Sequence, residues 1–270
     1  MAIITLTTDW NKSDYYIGAV KGRILAAQPD TTIIDISHQV QPFNIMQAAF
    51  IVRNCWSEFP EGTVHLIAVN AALTEKINLL VLEKNNQYFI TADNGIAGLL
   101  FGEEPDAVYR VKSTTNGNTF VSLKTFVDTA FHIINGKPIT SISESVKKYN
   151  SQIPLRPVIE KGLINGSVIY IDSFSNAITN ISRETFEKVG SGRAFEIFIQ
   201  SNHYRVDHIS KTYSESESGE LLVIFNAAEL LEIAINHGSA SELLNLSVNS
   251  TIRVKFYDEK PLSKLKLTGE

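Results

Sequence analysis

The stretch Val64-His65-Leu66-Ile67-Ala68-Val69 decides how the first half of the chain is read. It is apolar at every position but His65 and ends at the polar Asn70. A run this short fits a strand, because a helix of the same burial would need roughly 10–12 residues. Apolar character at successive positions means that both faces are covered, which is the signature of a parallel sheet packed between helices. Working back from it, a helical pattern runs from Ile45 to Trp56 and stops near Pro60. Before that come the strand Thr32-Ile33-Ile34-Asp35-Ile36, Pro29, a helical stretch from Tyr15 to Ala27 and the strand Ile3 to Leu6. Working forward, Leu79-Leu80-Val81-Leu82-Glu83 reads as another buried strand. A helix is expected from Lys124 to Asn135, stopped by Gly136 and Pro138, and a shorter one from Ser141 to Tyr149. The expected domain is α/β over residues 1–150, with a mostly parallel sheet and flanking helices.

The pattern changes at Ser151-Gln152-Ile153-Pro154-Leu155-Arg156-Pro157, where the prolines break regular structure, so residues 151–162 are expected to be a linker. Beyond it, Ser167–Asp172, Ala194–Ile199 and Ser250–Phe256 alternate partly between apolar and polar residues. Polar loops such as Ser214-Glu215-Ser216-Glu217-Ser218-Gly219 separate them. Residues 163–270 are therefore expected to form a smaller, mostly antiparallel β domain.

The 270 residues carry 24 Lys+Arg against 29 Asp+Glu, a net charge of −5, which argues against a nucleic-acid groove. The single cysteine, Cys55, excludes an intramolecular disulfide. The N-terminus reads as a first strand, and no window approaches the roughly 18 apolar residues of a membrane span. A cytoplasmic protein without a membrane partner is the expectation.

Generic motifs for dinucleotides, P-loop phosphates and nucleophile elbows are absent from the sequence. The six histidines form no H-x-x-x-H pair, so no metal site is expected. His65 on its apolar strand reads as a core histidine, and Cys55 beside Trp56 as a small hydrophobe. Four clusters remain. Asp9 follows the first strand, at the sheet edge where open α/β folds bind ligands; its two oxygens match a ribose diol, and it would serve equally as a turn or N-cap residue. Asp93-Asn94-Gly95 has the composition of a turn. In Asp172-Ser173-Phe174-Ser175-Asn176-Ala177-Ile178-Thr179-Asn180, an aromatic able to stack on a purine lies beside an acid and two amides. Asn236-His237-Gly238-Ser239-Ala240 follows an apolar run and can begin or cap a helix.

Taken in order, these clusters carry a resemblance. Leu6-Thr7-Thr8-Asp9 with Tyr16-x-Gly18 and Lys21-Gly22, then Ile34-Asp35-Ile36-Ser37-His38, Asp93-Asn94-Gly95-Ile96 and Thr119-Phe120 form its first part. Asp172-x-Phe174-x-Asn176 with Ile178-Thr179-Asn180-Ile181, and Glu232-Ile233-Ala234-Ile235-Asn236-x-Gly238-Ser239-Ala240, complete it. Over nearly its whole length the chain resembles the adenosine-forming S-adenosylmethionine hydrolases (SAM hydroxide adenosyltransferases) and the related adenosyl fluorinases and chlorinases. The resemblance implies an α/β domain followed by a β domain and a homotrimer. The ligand would lie between one subunit's N-terminal domain and its neighbour's C-terminal domain. It also implies displacement of methionine from the 5′ carbon of S-adenosylmethionine, with that molecule as substrate or ligand and no other cofactor. A dry pocket suits this chemistry, because an anionic nucleophile and a sulfonium annihilate charge.

By position, the resemblance makes Asp9 the ribose-diol carboxylate and Phe43 an aromatic near the ribose. Phe174 becomes the adenine stack, Asn176 and Asn236 the amides that read the purine edge, and Asp172 the acid for the methionine ammonium. Thr119 and Phe120 fall in a ligand-lining block. The nucleophile half departs from the family. Where hydrolases carry an Asp, an Arg and a His that hold and activate water, this chain has Asn70, Ile77 and Val121. Asn70, Lys76 and Ser122 are the groups left to hold a water differently. Loss of a positioned acid–base group costs about 10²–10⁴ in rate. Glu229, in Asn226-Ala227-Ala228-Glu229, is expected near the methionine carboxylate, which it would repel. Ser122 matches the halide-binding serine of fluorinating members, but the stretch from Val111 to Asn118 is short for that branch. Four readings stay open at this level: an altered hydrolase, a binding protein without turnover, a trimeric scaffold with a relict site, and displacement by another nucleophile.

Overall fold

The computed structural model describes residues 2–73, 77–112, 121–200 and 204–258, with the backbone alone at 121–123. The chain forms two compact units, residues 1–154 and 155–270.

In the first unit one sheet is built from β1 (Ile3–Thr8), β2 (Thr32–Ser37), β3 (Val64–Ala68), β4 (Leu79–Lys84), β5 (Gln87–Ala92), β6 (Ala107–Val111) and β7 (Ser143–Ser145). Their order is β2-β1-β3-β5-β4-β6-β7. The helices are α1 (Tyr15–Ala27), α2 (Ile45–Arg53), α3 (Ala97–Leu100) and α4 (Val121–Ile134). Successive β3 side chains serve opposite faces. Ile67 and Val69 pack with Ala48 and Val52 of α2, while Leu66 and Ala68 pack with Val20 of α1 and Val127 of α4. That division explains why the run is apolar throughout: each face buries its own core. Asn44 starts α2 by accepting the Gln47 N–H at 3.0 Å, an N-cap bond.

The expected mostly parallel sheet is instead mixed. β1 pairs in parallel with β2 and β3, and β3 with β5. β4 runs antiparallel to β5 and β6, and β7 antiparallel to β6. The cause is local. β4 and β5 are joined through Asn85 and Asn86, both at positive φ (48° and 56°), the geometry of a two-residue hairpin turn. A parallel neighbour would require a crossover of about a dozen residues or more. A second correction concerns the helix expected from Ser141 to Tyr149. A single 3-10 turn covers Ile139–Ser141, and Ser143–Ser145 then adds to the β6 edge. Val146 and Tyr149 pack on the core from a segment outside helix and strand. Likewise α2 ends at Arg53, and Trp56–Glu58 forms a separate 3-10 turn.

The second unit holds β8 (Val158–Glu160), β9 (Leu163–Ile171), β10 (Ala177–Ser182), β11 (Ala194–Ile199), β12 (Tyr204–Val206), β13 (Leu221–Phe225), β14 (Leu230–Ile235) and β15 (Thr251–Tyr257). The order is β12-β11-β15-β9-β10-β14-β13 with β8 on β9, and every pairing is antiparallel. Two short helices, α5 (Arg183–Gly190) and α6 (Ala240–Leu243), accompany the sheet. Ile164, Val168, Ile181, Val223, Ile233 and Val254 are at the centre of one core. In the stretch expected to be a linker, Ser151 bridges to Gly95 and residues 158–160 form β8. Among the described residues no helix is long and apolar enough to cross a membrane.

Candidate functional site

Asp9, Asn70 and Asn94 of the first unit lie one or two residues past the ends of β1, β3 and β5. Asp9 lies one residue beyond β1. Its Oδ2 accepts the Phe43 N–H at 2.9 Å and the Asn70 N–H at 3.1 Å. Both bonds fall on one oxygen, so they set the carboxylate plane while Oδ1 takes no part in either. Both donors have left-handed backbone, Phe43 at φ 66° and Asn70 at φ 47°. For a bulky Phe that conformation is strained, and strained backbone clusters at ligand sites. Phe43 is 73% exposed. Asn94, one residue past Asp93 in the expected turn, supplies the second fixing. Its Nδ2 donates to the carbonyls of Val69 (3.1 Å) and Asn70 (3.0 Å), while its Oδ1 accepts the Ile96 N–H. Asp93 is held by the Asn150 N–H at 2.7 Å. Sequence reasoning about the Asp-Asn-Gly turn missed that its amide carries the Asn70 loop.

Asn70 is thus brought to Asp9, and Ile77 lies two residues before β4. Lys76, Thr119 and Phe120 lie outside the described residues. Val121 and Ser122 open α4, and only their backbone is described.

The second unit contributes a cavity of about 570 Å³ lined by Asp172, Phe174, Asn176, Asn236 and their neighbours. Its loop is a tight turn between β9 and β10, and Asp172 organises it. Asp172 Oδ1 accepts the N–H groups of Phe174 (2.9 Å) and Asn176 (2.8 Å), and Oδ2 accepts Asn176 Nδ2 at 3.2 Å. Ser175 sits at φ 64° in this turn, and its carbonyl accepts the Ser241 N–H. The outcome is a rigidly held loop whose Phe174 ring is 77% exposed. Leaving such a ring in water forgoes about 1.5–3 kcal/mol of burial, which a stacked base would recover. Across the cavity, Asn236 Nδ2 donates to the Ser216 carbonyl at 2.7 Å. One amide hydrogen of Asn176 and one of Asn236 are therefore committed within the unit. The other hydrogen and the carbonyl oxygen are what each can offer a purine edge.

Tyr213, which also lines the cavity, was not singled out from the sequence. Its hydroxyl donates to Glu232 Oε1 at 2.6 Å, and Asn226 Nδ2 donates to Oε2 at 3.0 Å. Glu232 is buried, and these bonds satisfy its carboxylate. Burial first, and then the Glu232 hydrogen bond, push the Tyr213 phenol far above its ordinary range, so it stays protonated. The only sequence signal was an aromatic in the polar run Lys211-Thr212-Tyr213-Ser214.

The repulsion expected from Glu229 meets a local answer. Glu229 lies in the β13–β14 turn and is ion-paired to Arg183, whose guanidinium also stands 4.5 Å from the Phe225 ring centroid. That turn and the cavity residues 235–239 lie at opposite ends of β14, about 20 Å apart at the rise of a strand. The Cys55 thiol is pushed up to about 11 by burial and donates to the carbonyls of Ile51 and Val52, which keeps it from acting as a nucleophile at neutral pH.

Residues 4–143 match the family model for the SAM hydroxide adenosyltransferase N-terminal domain, and residues 166–253 the model for the C-terminal domain. The chain is 29% identical to an (R)-S-adenosyl-L-methionine hydrolase of Methanocaldococcus jannaschii, covering 93% of this chain and 95% of that protein. It is 23% identical to a fluorinase of Actinopolyspora mzabensis, over 93% of this chain and 96% of the other. An uncharacterized conserved protein from Thermotoga maritima, known by crystal structure, superposes with a TM-score of 0.83 at 27% identity, covering 94% and 100% of the two chains.

Proposed function

The chain belongs to the SAM hydroxide adenosyltransferase family, and we propose that it binds S-adenosylmethionine through the nucleoside and hydrolyses it slowly. The observation that carries this reading is the Asp9–Asn70 contact. The carboxylate for the ribose diol is built and fixed, yet the residue beside it is an amide.

In the reaction, a water oxygen attacks C5′ from the side opposite sulfur. The C5′–S bond breaks, its electron pair stays on sulfur, methionine leaves as a neutral thioether, and the water's second proton passes to solvent. Asp9 orients the ribose, Phe174 stacks on adenine, and Asn176 and Asn236 read its edge. Asp172 receives the methionine ammonium. Asn70 cannot take a proton, and Ile77 and Val121 supply neither a cation nor an imidazole, so water is left to attack without a base. About 10²–10⁴ in rate is forfeited for that reason. Lys76 and Ser122 are the remaining groups for holding the water, with Thr119 and Phe120 lining the ligand.

The proposal extends to assembly. Phe43 in one unit and Phe174 in the other are both exposed, which suits a homotrimer where unit 1 of one copy meets unit 2 of another around the ligand. Cytoplasmic location is part of the same proposal, and it fits a chain with one thiol and no disulfide.

Incubating purified protein with S-adenosylmethionine, followed by chromatography and by calorimetric titration, tests the reading. Saturable binding with slow, Asp9-dependent release of adenosine and methionine is expected. Absence of binding to S-adenosylmethionine and adenosine alike would remove it.

A further inference from the structure

We propose that His38 is the positioning residue for Asp9, an inference that rests on Asp9 being the carboxylate that holds the ribose diol. Asp9 lies past the last residue of β1, so no strand ladder holds its main chain. Three bonds from the segment between residues 38 and 43 take over. His38 Nδ1 and Thr8 Oγ1 share a hydrogen bond of 2.9 Å, on the N-terminal side of Asp9. The His38 carbonyl accepts the Asn11 N–H at 3.0 Å, on its C-terminal side. Phe43 N–H then reaches the carboxylate itself. One residue therefore brackets Asp9 from both directions, with its side chain on one flank and its main chain on the other.

His38 is itself anchored. It is 2% exposed, and Thr8 is 1% exposed, in contrast to the accessible Asp9. Its Nε2 lies 3.0 Å from Asp35 Oδ1, at an angle that makes this an electrostatic contact more than a linear hydrogen bond. Asp35 in turn binds Lys21 Nζ at 2.5 Å. The chain Lys21–Asp35–His38–Thr8 thus ties α1 and β2 to the end of β1. An imidazole suits the position because its two nitrogens face different partners, the Asp35 carboxylate at Nε2 and the Thr8 hydroxyl at Nδ1. With the imidazole gone, Thr8 Oγ1 keeps only the Trp10 N–H at 3.4 Å. The end of β1 next to Asp9 then loses its side-chain tie, and only main-chain bonds, Asn11 N–H to the His38 carbonyl and Phe43 and Asn70 N–H to the carboxylate, are left to place Asp9. A carboxylate turned away from one ribose hydroxyl gives up one charge-assisted bond, about tenfold in affinity.

The test compares the affinities of adenosine and 2′,3′-dideoxyadenosine, because their ratio isolates the diol. The wild-type protein is expected to prefer adenosine strongly, and Asp9→Ala to lose the preference. His38→Ala is expected to lower the ratio by about 10-fold or more while binding the dideoxy compound nearly as the wild type does. His38→Asn, which keeps a polar atom within reach of Thr8, is expected to restore part of the ratio. Thr8→Val, which keeps the shape of the side chain, is the second probe should His38→Ala fail to fold. A histidine that merely stabilises the unit would weaken both nucleosides alike, and an unchanged ratio in His38→Ala or Thr8→Val overturns the inference. A wild-type protein with no preference for the diol defeats the reading of Asp9 itself, which is a distinct result.

Discussion

Replacing Asp9 with alanine separates what this carboxylate does for the fold from what it does for a ligand. In the fold, Oδ2 accepts two backbone N–H groups, from Phe43 and Asn70, at 2.9 and 3.1 Å. Both donors belong to exposed residues, so water can replace the carboxylate. The expected stability loss is about 1 kcal/mol, because these charge-assisted bonds are made at exposed positions where water screens them and takes their place. For the ligand, two ribose hydroxyls donating to a carboxylate are charge-assisted bonds of about 1.5–3 kcal/mol each. Their combined loss, about 3–6 kcal/mol, corresponds to roughly 10²–10⁴ in affinity. Calorimetric titration with adenosine reads the second quantity, and a thermal melt reads the first. The expected result is an adenosine affinity that falls by at least about a hundredfold with a melting point lowered by only a few degrees. Adenosine bound within about threefold of wild type would refute the assignment of Asp9, because such a change is under 1 kcal/mol.

Other consequences follow from the same geometry. Phe174→Ala is expected to weaken adenosine by about 1–3 kcal/mol, the worth of one stacked base, with no drop in melting point because the ring is exposed. In Gly238→Ala the new Cβ would lie 2.6 Å from Ile235 Cγ2 on the cavity wall, so calorimetry should show weaker adenosine binding, and melting a cost of about 1–3 kcal/mol. His65 is buried between Thr5 and Gln87, and burial lowers it to about 4 from 6.5. The unfolded chain therefore takes up the proton first: this contribution to stability is complete above pH 6.5 and is lost as pH falls towards 4. It amounts to about 3 kcal/mol by the usual conversion of a pKa shift. Urea denaturation at pH 7 and pH 4.5 should show a steeper loss for the wild type than for His65→Gln, and equal slopes would contradict it.

What could be read from the sequence was what depends on burial period and local chemistry. Val64–Val69 is recognisable because two different cores claim alternate residues, and helix α1 because Tyr15–Ala27 lies between clear breaks. The direction of β4 was not legible from its own residues, since Leu79–Glu83 is equally apolar in either orientation. The deciding signal was outside it, in Asn85 and Asn86, whose left-handed backbone closes the hairpin. The Ser141–Tyr149 helix failed for a related reason: the open edge of β6 offers backbone pairing to residues 143–145, which these residues alone do not reveal. At the site, individual residue types pointed to their chemistry. Asp9 and Phe174 were identifiable by position and exposure-prone context. Which groups hold Asp9 was not, because the Phe43 N–H, the Asn70 N–H and the Asn94 side chain that fixes the Asn70 loop come from positions 34 to 85 residues away from it. Tyr213 was invisible for the same reason, its partner Glu232 being 19 residues distant.

On the proposed function, this chain keeps the grip on the nucleoside and lacks the groups that activate water. The most direct measurement is the rate of adenosine release at saturating S-adenosylmethionine, for the wild type and for the triple variant Asn70→Asp, Ile77→Arg, Val121→His. Aspartate tolerates the left-handed conformation at position 70 much as asparagine does, so the loop facing Asp9 can carry it. Unchanged ligand affinity and a rate raised by about 10²–10⁴ are expected in the variant. A wild-type chain that already hydrolyses S-adenosylmethionine as fast as the restored variant would contradict this expectation.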